Sequence, residues 1–446
     1  MKKIFLSYLL AAAAVTSAAQ GVTSGTSSVF SSIQSLVAQT STSPHAPLER
    51  LLDELQSGQG ESIYQRATPE VQQALTVTQL NQIWAQLVAQ MGEFVVAEDF
   101  HRASKGKYDV IDCLLRFKNM SLRGTATFDA MGRIAGLLFS PEAEVKTDPV
   151  AEAEAATYLT ERDVTIAHGK VSLPGTLCLP KVTKAGQKLP LVVMVHGSGP
   201  NDRDETLGPN RPFREMAHAL ARHGIATLRY DKRTYVYGAK VGEVGGADNY
   251  DTEVVEDAVE ALKLGGSLAE IHPDQVFVLG HSLGAGLVPR IIQHSKSPVA
   301  GGVMWCAPAR ALDEILHEQI QYIATLQGMD AAAAEAMYMQ MIATLPQSYL
   351  DFARAHRPLD EGRTCASPLL VIGAGHDYQV TKKDYDLWRE TLSESKGHQF
   401  LWIDNADHCL RTTTEMATPA SYMQYLPLNE KGIEGIVNFV PKQCQK

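Results

Sequence analysis

Ser282 stands in Gly280-His281-Ser282-Leu283-Gly284, after the apolar run 276–279 and before small and apolar residues at helical spacing that end near Arg290 and Ile291. Strand, sharp turn and helix is the setting that lifts a serine hydroxyl out of a fold as a nucleophile. Gly280 and Gly284 suit it, because a Cβ at either place would crowd the strand against the helix. The G-x-S-x-G pattern alone is weak, and the bland reading is a glycine-lined turn with an idle serine. Its partners decide. A serine nucleophile needs a base, a group that orients the base, and donors for an oxyanion. Asp377 is the first carboxylate after the apolar run 369–373, in Gly373-Ala374-Gly375-His376-Asp377. His408 follows the run 400–403, in Asp404-Asn405-Ala406-Asp407-His408. The order Ser, acid, His is one of those in which this chemistry occurs. His376, His398, Asp404 and Asp407 compete. His376 comes too early, and the two late aspartates share the histidine's own loop, where orienting its ring from behind is harder.

Two backbone donors are expected for the oxyanion. The Leu283 N–H opens the helix after the serine, where an amide points at an anion. The second is the Ser198 N–H, in the loop His196-Gly197-Ser198-Gly199-Pro200-Asn201-Asp202-Arg203-Asp204. Its glycines let a backbone N–H face a ligand. Gly199 is the neighbour that would replace it. His196 reads as a brace for the loop, and Asp202, Arg203 and Asp204 as an ion-pair cluster that holds it or as groups that touch substrate. This constellation requires no metal and no organic cofactor.

The elements that must position these residues alternate. The segments 164–167 and 171–179, joined by His168-Gly169, give a hairpin signal. Apolar strands at 189–195, 225–230, 276–279, 299–306, 369–373 and 400–403 then alternate with helical patterns near 211–223, 250–264, 283–295, 383–395 and 430–440. That grammar predicts an α/β domain over 160–446: a mostly parallel eight-stranded sheet covered on both faces. Residues 308–366 break the alternation. They are helical in pattern and carry Met329, Met337, Met339 and Met341, so a helical cap insertion is expected. Adaptable methionines would line an apolar acyl site or pack only the cap's own core, and the pattern leaves both open.

Upstream, Lys2 and Lys3, an apolar core from Ile4 to Val15 and Ser17-Ala18-Ala19 read as a signal peptide over 1–19. The run is shorter than the ~20 residues that span a bilayer, so export to the periplasm or the medium is expected rather than stable membrane insertion. Residues 20–44 are a Ser/Thr-rich linker. Residues 45–145 predict a small α+β domain: helical spacing at Leu48, Leu51, Leu52 and Leu55 and at Leu80, Ile83, Trp84, Leu87 and Val88, then strand-like runs at 92–99, 108–117, 120–128 and 134–139. Asp99, His101 and Arg102 read there as a charged loop. The formal net charge of −10 disfavours nucleic acid and anionic membranes as partners. The six cysteines show no C-x-x-C spacing. Cys178 and Cys306 are expected as buried thiols, and Cys365, Cys409 and Cys444 as disulfide candidates.

His196-Gly197-Ser198-Gly199-Pro200-Asn201-Asp202-Arg203-Asp204, then Arg229-Tyr230-Asp231-Lys232-Arg233, then Gly280-His281-Ser282-Leu283-Gly284, Gly375-His376-Asp377 and Asp407-His408 resemble bacterial α/β-hydrolase carboxylesterases. These lie near the prolyl-oligopeptidase-like and serine-aminopeptidase-like branch. The resemblance spans roughly 160–440 and implies a Ser282–Asp377–His408 triad acting on a small-molecule acyl ester of small or medium chain. The leading segment resembles cystatin-like or NTF2-like shapes and the small domains of unknown function that precede some bacterial secreted hydrolases. The same triad would serve a thioesterase or a peptidase. A peptidase presents a carboxylate to the substrate amino group, and Asp202, Asp204, Glu205 and several acids of the 308–366 segment are available. A non-enzymatic binding protein, with the small domain doing the work, is the reading from another class.

Overall fold

The computed structural model describes residues 43–118, 121–141, 149–181, 186–392 and 397–444. The expected signal peptide and all but the last two residues of the expected linker lie outside these. The chain divides into two compact units at 144/145.

The smaller unit has helices Ala46–Gln56, Gly60–Gln65, Pro69–Ala74 and Val77–Met91, then β1 (Phe94–Lys105), β2 (Tyr108–Phe117), β3 (Ser121–Phe128) and β4 (Ile134–Pro141). The sheet is an antiparallel meander in the order β1-β2-β3-β4. Leu48, Leu51, Leu52 and Leu55 form the buried stripe of the first helix. Thr76 opens the fourth with a capping box to Gln79, which satisfies two otherwise orphaned amides. Asp99, His101 and Arg102 are not in a loop. They lie within β1, at a bulge between Glu98 and His101 where Asp99 takes φ 52°. The bulge turns Asp99 toward Arg123 of β3, which also pairs with Asp112, while Arg102 pairs with Asp109. Charged residues therefore satisfy one another across neighbouring strands, which polarity alone does not distinguish from a loop.

The larger unit holds the eight strands β5 (Leu159–His168), β6 (Val171–Pro180), β7 (Leu189–Val195), β8 (Ala226–Tyr230), β9 (Ile271–His281), β10 (Gly301–Trp305), β11 (Leu369–Ala374) and β12 (Gln399–Ile403). Their order is β12-β11-β10-β9-β7-β8-β6-β5. β6 runs antiparallel to both β5 and β8, and the other pairings are parallel. Alternate residues of β7 enter opposite cores: Leu191, Val193 and Val195 on one face of the sheet, Val192 and Met194 on the other. Burial on both faces is why these strands read as continuous apolar runs. The parallel strands β7, β9, β11 and β12 all deliver their carboxyl ends to one edge, where open sheets of this kind bind ligands.

Between β10 and β11 lie four helices, Leu312–Leu326, Ala331–Thr344, Gln347–Ala355 and Pro358–Thr364. The first is tied to the loops after β11 and β12: the Tyr322 ring stacks on Tyr378 at 4.9 Å, and its hydroxyl donates to Ala417 O at 2.9 Å. Arg310 anchors its entry through Asp384, which is fully buried, and through Glu318. The far end rests on Tyr250, whose ring meets Tyr349 and Phe352 edge-on. Of the methionines, Met337 is buried, Met329 and Met341 are half-buried and Met339 is exposed. Cys365 and Cys409 are buried thiols, which corrects the expectation of a disulfide. Cys365 packs in the main core and Cys409 among Tyr378, Ala417 and Tyr422. Cys444 lies in the last helix, Glu430–Cys444.

Candidate active site

β9 ends at His281 and a helix opens at Leu283, leaving Ser282 alone at the turn with φ 52° and ψ −119°. Such a backbone is costly for a residue with a side chain and persists only where its surroundings force it. They do so here. A Cβ on Gly280 would lie 2.3 Å from Gly284 O, and one on Gly284 would lie 2.5 Å from His196 O. Strand, helix and neighbouring loop thus close on the turn to the limit of contact, and only glycine fits. The Ser282 N–H donates to Trp305 O at 3.0 Å, and the side chain is half-buried.

The loops after β11 and β12 bring two more side chains together. His408 Nδ1 donates to Asp377 Oδ2 at 2.6 Å, both residues being buried. The other oxygen, Asp377 Oδ1, accepts the N–H groups of Gln379 at 2.7 Å and Val380 at 3.0 Å. The carboxylate is therefore fixed by its own loop before it meets the imidazole. The His408 carbonyl accepts from Trp305 Nε1 at 3.0 Å and from His281 Nε2 at 3.1 Å. The residue before Ser282 and the strand beside it thus hold the histidine's backbone. An imidazole kept this way shows Nδ1–H to the carboxylate and leaves Nε2 as a proton acceptor. Cys306, Asp377 and His408 also place ligand-type atoms within 4.8 Å of one another. Burial, then the Asp377 charge, pushes the Cys306 thiol well above its usual range, so it stays protonated beside the carboxylate.

The profile of the family described as "Alpha/beta hydrolase family" matches residues 192–416, which contain all of these elements. The chain belongs to the alpha/beta hydrolase family. It is similar to Esterase EstD of Thermotoga maritima, with 31% identity over 394 residues, 86% of this chain and 92% of that protein. Among solved structures it is similar to Est1E from Butyrivibrio proteoclasticus, at 16% identity and a TM-score of 0.44 over 64% of this chain and 99% of that one. An esterase from Pyrococcus furiosus matches at 17% identity and a TM-score of 0.45, over 68% of this chain and 97% of that one. Residues 49–137 match a family described as a protein of unknown function, DUF3887.

In this hydrolase the other sequence candidates are used differently. His398 Nδ1 accepts the Leu369 N–H at the amino end of β11. Asp404 accepts from Trp402, and Asp407 Oδ1 accepts the N–H groups of Cys409 and Arg411, which closes the turn around His408. His376 binds Ala406 and Ala417 through its backbone. His196 is buried edge-on to Tyr230, and burial lowers its pKa to about 4, so it packs as a neutral ring. Asp202, Arg203 and Asp204 do not form the expected ion-pair cluster. Arg203 instead makes a bidentate pair with Asp231 after β8, and Asp202 accepts N–H groups of its own turn.

Glu205 is not presented to a substrate amino group. It is buried, its Oε1 accepts the Gly197 N–H at 2.7 Å, and its Oε2 lies 2.9 Å from His281 Nδ1. Ser198 and Gly199 follow that pinned amide, and a Cβ on Gly197 would lie 3.1 Å from Ser282 Cβ. The Leu283 N–H sits at the first position of its helix, where no intrahelical acceptor exists. Lys232 Nζ also donates to the Gly197 carbonyl and pairs with Glu253; sequence reasoning named Glu205 only as a carboxylate for a substrate amine and Lys232 only within a motif, and missed Glu253. The faint signal was the place of Glu205 in the loop after β7, of Lys232 just after β8 and of Glu253 at the start of the following helical segment.

Proposed function

We propose that this chain is an exported serine carboxylesterase acting on small or medium acyl esters through Ser282, Asp377 and His408. The observation that carries the reading is the 2.6 Å bond from His408 Nδ1 to Asp377, at the sheet edge where Ser282 holds its strained backbone. Similarity to Esterase EstD over most of both chains supports the ester as substrate class. Ser282 Oγ attacks the ester carbonyl while His408 Nε2 takes its proton. The Ser198 and Leu283 N–H groups receive the oxyanion. The tetrahedral adduct collapses as His408 returns the proton to the departing alcohol, which leaves an acyl-Ser282. Water, deprotonated by the same nitrogen, then attacks the acyl carbon and releases the acid. Asp377 keeps the imidazole tautomer and stabilises its charged form. The apolar leader at 1–19 supports export.

Nitrophenyl acetate, butyrate and octanoate hydrolysis, with fluorophosphonate labelling mapped by peptide mass, tests the proposal. Label on Ser282 together with turnover is expected. Absence of both in folded protein sinks it.

A further inference from the structure

Gly197 is held at both of its backbone polar groups. The Gly197 N–H donates to Glu205 Oε1 at 2.7 Å, and the Gly197 carbonyl accepts from Lys232 Nζ at 2.9 Å and Asn201 Nδ2 at 3.2 Å. Lys232 is only 2% exposed. Its position follows from the sheet: β8 lies beside β7, and the chain turns just past Tyr230 with the Lys232 N–H on Asn201 O at 3.0 Å. Its charge partner is Glu253 at 2.6 Å, also buried.

In a trans peptide the N–H points opposite to the preceding carbonyl, and the described residues contain no cis bond. Fixing the Gly197 carbonyl on Lys232 therefore turns the Ser198 N–H the other way. That peptide lies against the nucleophile: a Cβ on Gly197 would come within 3.1 Å of Ser282 Cβ. An ammonium donor also makes a shorter, stronger bond than a neutral one, and polarising the carbonyl strengthens the N–H of the same amide as a donor. A buried ion pair is a poor stabiliser compared with apolar residues of similar size, so stability alone does not account for keeping one here. We propose that Lys232, charge-balanced by Glu253, is a positioning residue that orients and strengthens the Ser198 oxyanion donor. The inference rests on the serine-hydrolase reading above.

The test is the double variant Lys232→Met/Glu253→Gln, which removes both charges so that neither is left buried and unpaired. Its thermal melt establishes folding. A fall in kcat of about 10- to 10³-fold is expected, up to the effect of deleting one oxyanion donor, with KM within threefold of wild type. Affinity for a trifluoromethyl ketone, whose tetrahedral adduct places an oxyanion in the site, should fall in parallel, while binding of the product acid stays unchanged. A merely structural role would not separate these two ligands. If the melt shows no folding, the wholly apolar pair Lys232→Met/Glu253→Met takes its place with the same readouts. A folded variant with kcat and ketone affinity within threefold of wild type overturns the proposal. Ser282→Ala in the same assay separates the two failures. If it retains wild-type turnover, the serine-hydrolase reading falls and Lys232 with it. If it is inert while the Lys232 variant turns over normally, only the Lys232 role falls.

Discussion

Nδ1 of His281 lies 2.9 Å from the Glu205 carboxylate, one residue before Ser282. Its Nε2 faces the His408 carbonyl, which can only accept, so Nε2 carries a hydrogen. A neutral ring would then turn the Nδ1 lone pair toward a carboxylate. Burial opposes the charged form, yet the Glu205 charge overcomes it and raises the His281 pKa. Burial also opposes Glu205 ionisation, and the His281 charge overcomes that and lowers its pKa.

The signs set a stability window. The raised His281 contributes fully below its unfolded pKa of about 6.5, and that contribution is lost as pH rises through the folded value. The lowered Glu205 contributes above its unfolded value of about 4.3 and loses that as pH falls through the folded one. Thermal melts from pH 4 to 9 should fall away on both sides of this window. Glu205→Gln, which still offers an oxygen to the Gly197 N–H, should flatten the profile. An unchanged profile in that variant would show that the pair is not charged.

Ser282→Ala should lower kcat by roughly 10⁶-fold if the three residues act as a unit, with the melting temperature retained because the methyl stays in the same turn. A variant that keeps a tenth of wild-type turnover rules Ser282 out as nucleophile.

Asp377→Asn should cost about 10⁴-fold in kcat. The amide still accepts from Gln379 and Val380 through its oxygen, so its NH2 meets His408 Nδ1 and selects the wrong tautomer. Substrate KM should change little. A loss of less than tenfold means that another carboxylate orients the ring.

Tyr322→Ala removes the stack on Tyr378 and the bond to Ala417. Together these are worth about 1–2 kcal/mol, and they hold the first helix of the insertion on the loops that carry Asp377 and His408. Labelling at Ser282 should persist, while the octanoate-to-acetate ratio of kcat/KM shifts about tenfold, the equivalent of 1.4 kcal/mol. An unaltered ratio removes the insertion from acyl selection.

What was legible follows the physics of burial. β7, β9, β10 and β11 are covered on both faces, so their apolar runs stand out, and the turns after β9 and β11 carry Ser282 and Asp377, while His408 follows the half-buried β12, still an apolar run. The helical excess between β10 and β11 was visible by length. The bulge at Asp99 was not, because its charged residues pair across strands and mimic loop composition. Cys178 and Cys306 read correctly as buried thiols because they lie in apolar runs, but the states of Cys365 and Cys409 were not legible, since pairing depends on which side chains meet in three dimensions. Lys232 and Glu253 are 21 residues apart in sequence, and no local pattern says that two charged residues will be buried against each other.

Tyr349, in the third helix of the insertion, sets its phenol beside the Glu253 that balances Lys232. Burial and then that carboxylate's charge hold the phenol well above its usual pKa. The insertion is therefore not an interchangeable part. Grafting the equivalent segment from a relative, or trimming this one, replaces a neighbour of the Glu253 that pairs with Lys232. If Lys232 positions the oxyanion donor as proposed, engineered specificity here comes coupled to turnover, and a library built on the insertion needs to keep Tyr349 or vary Glu253 and Lys232 with it.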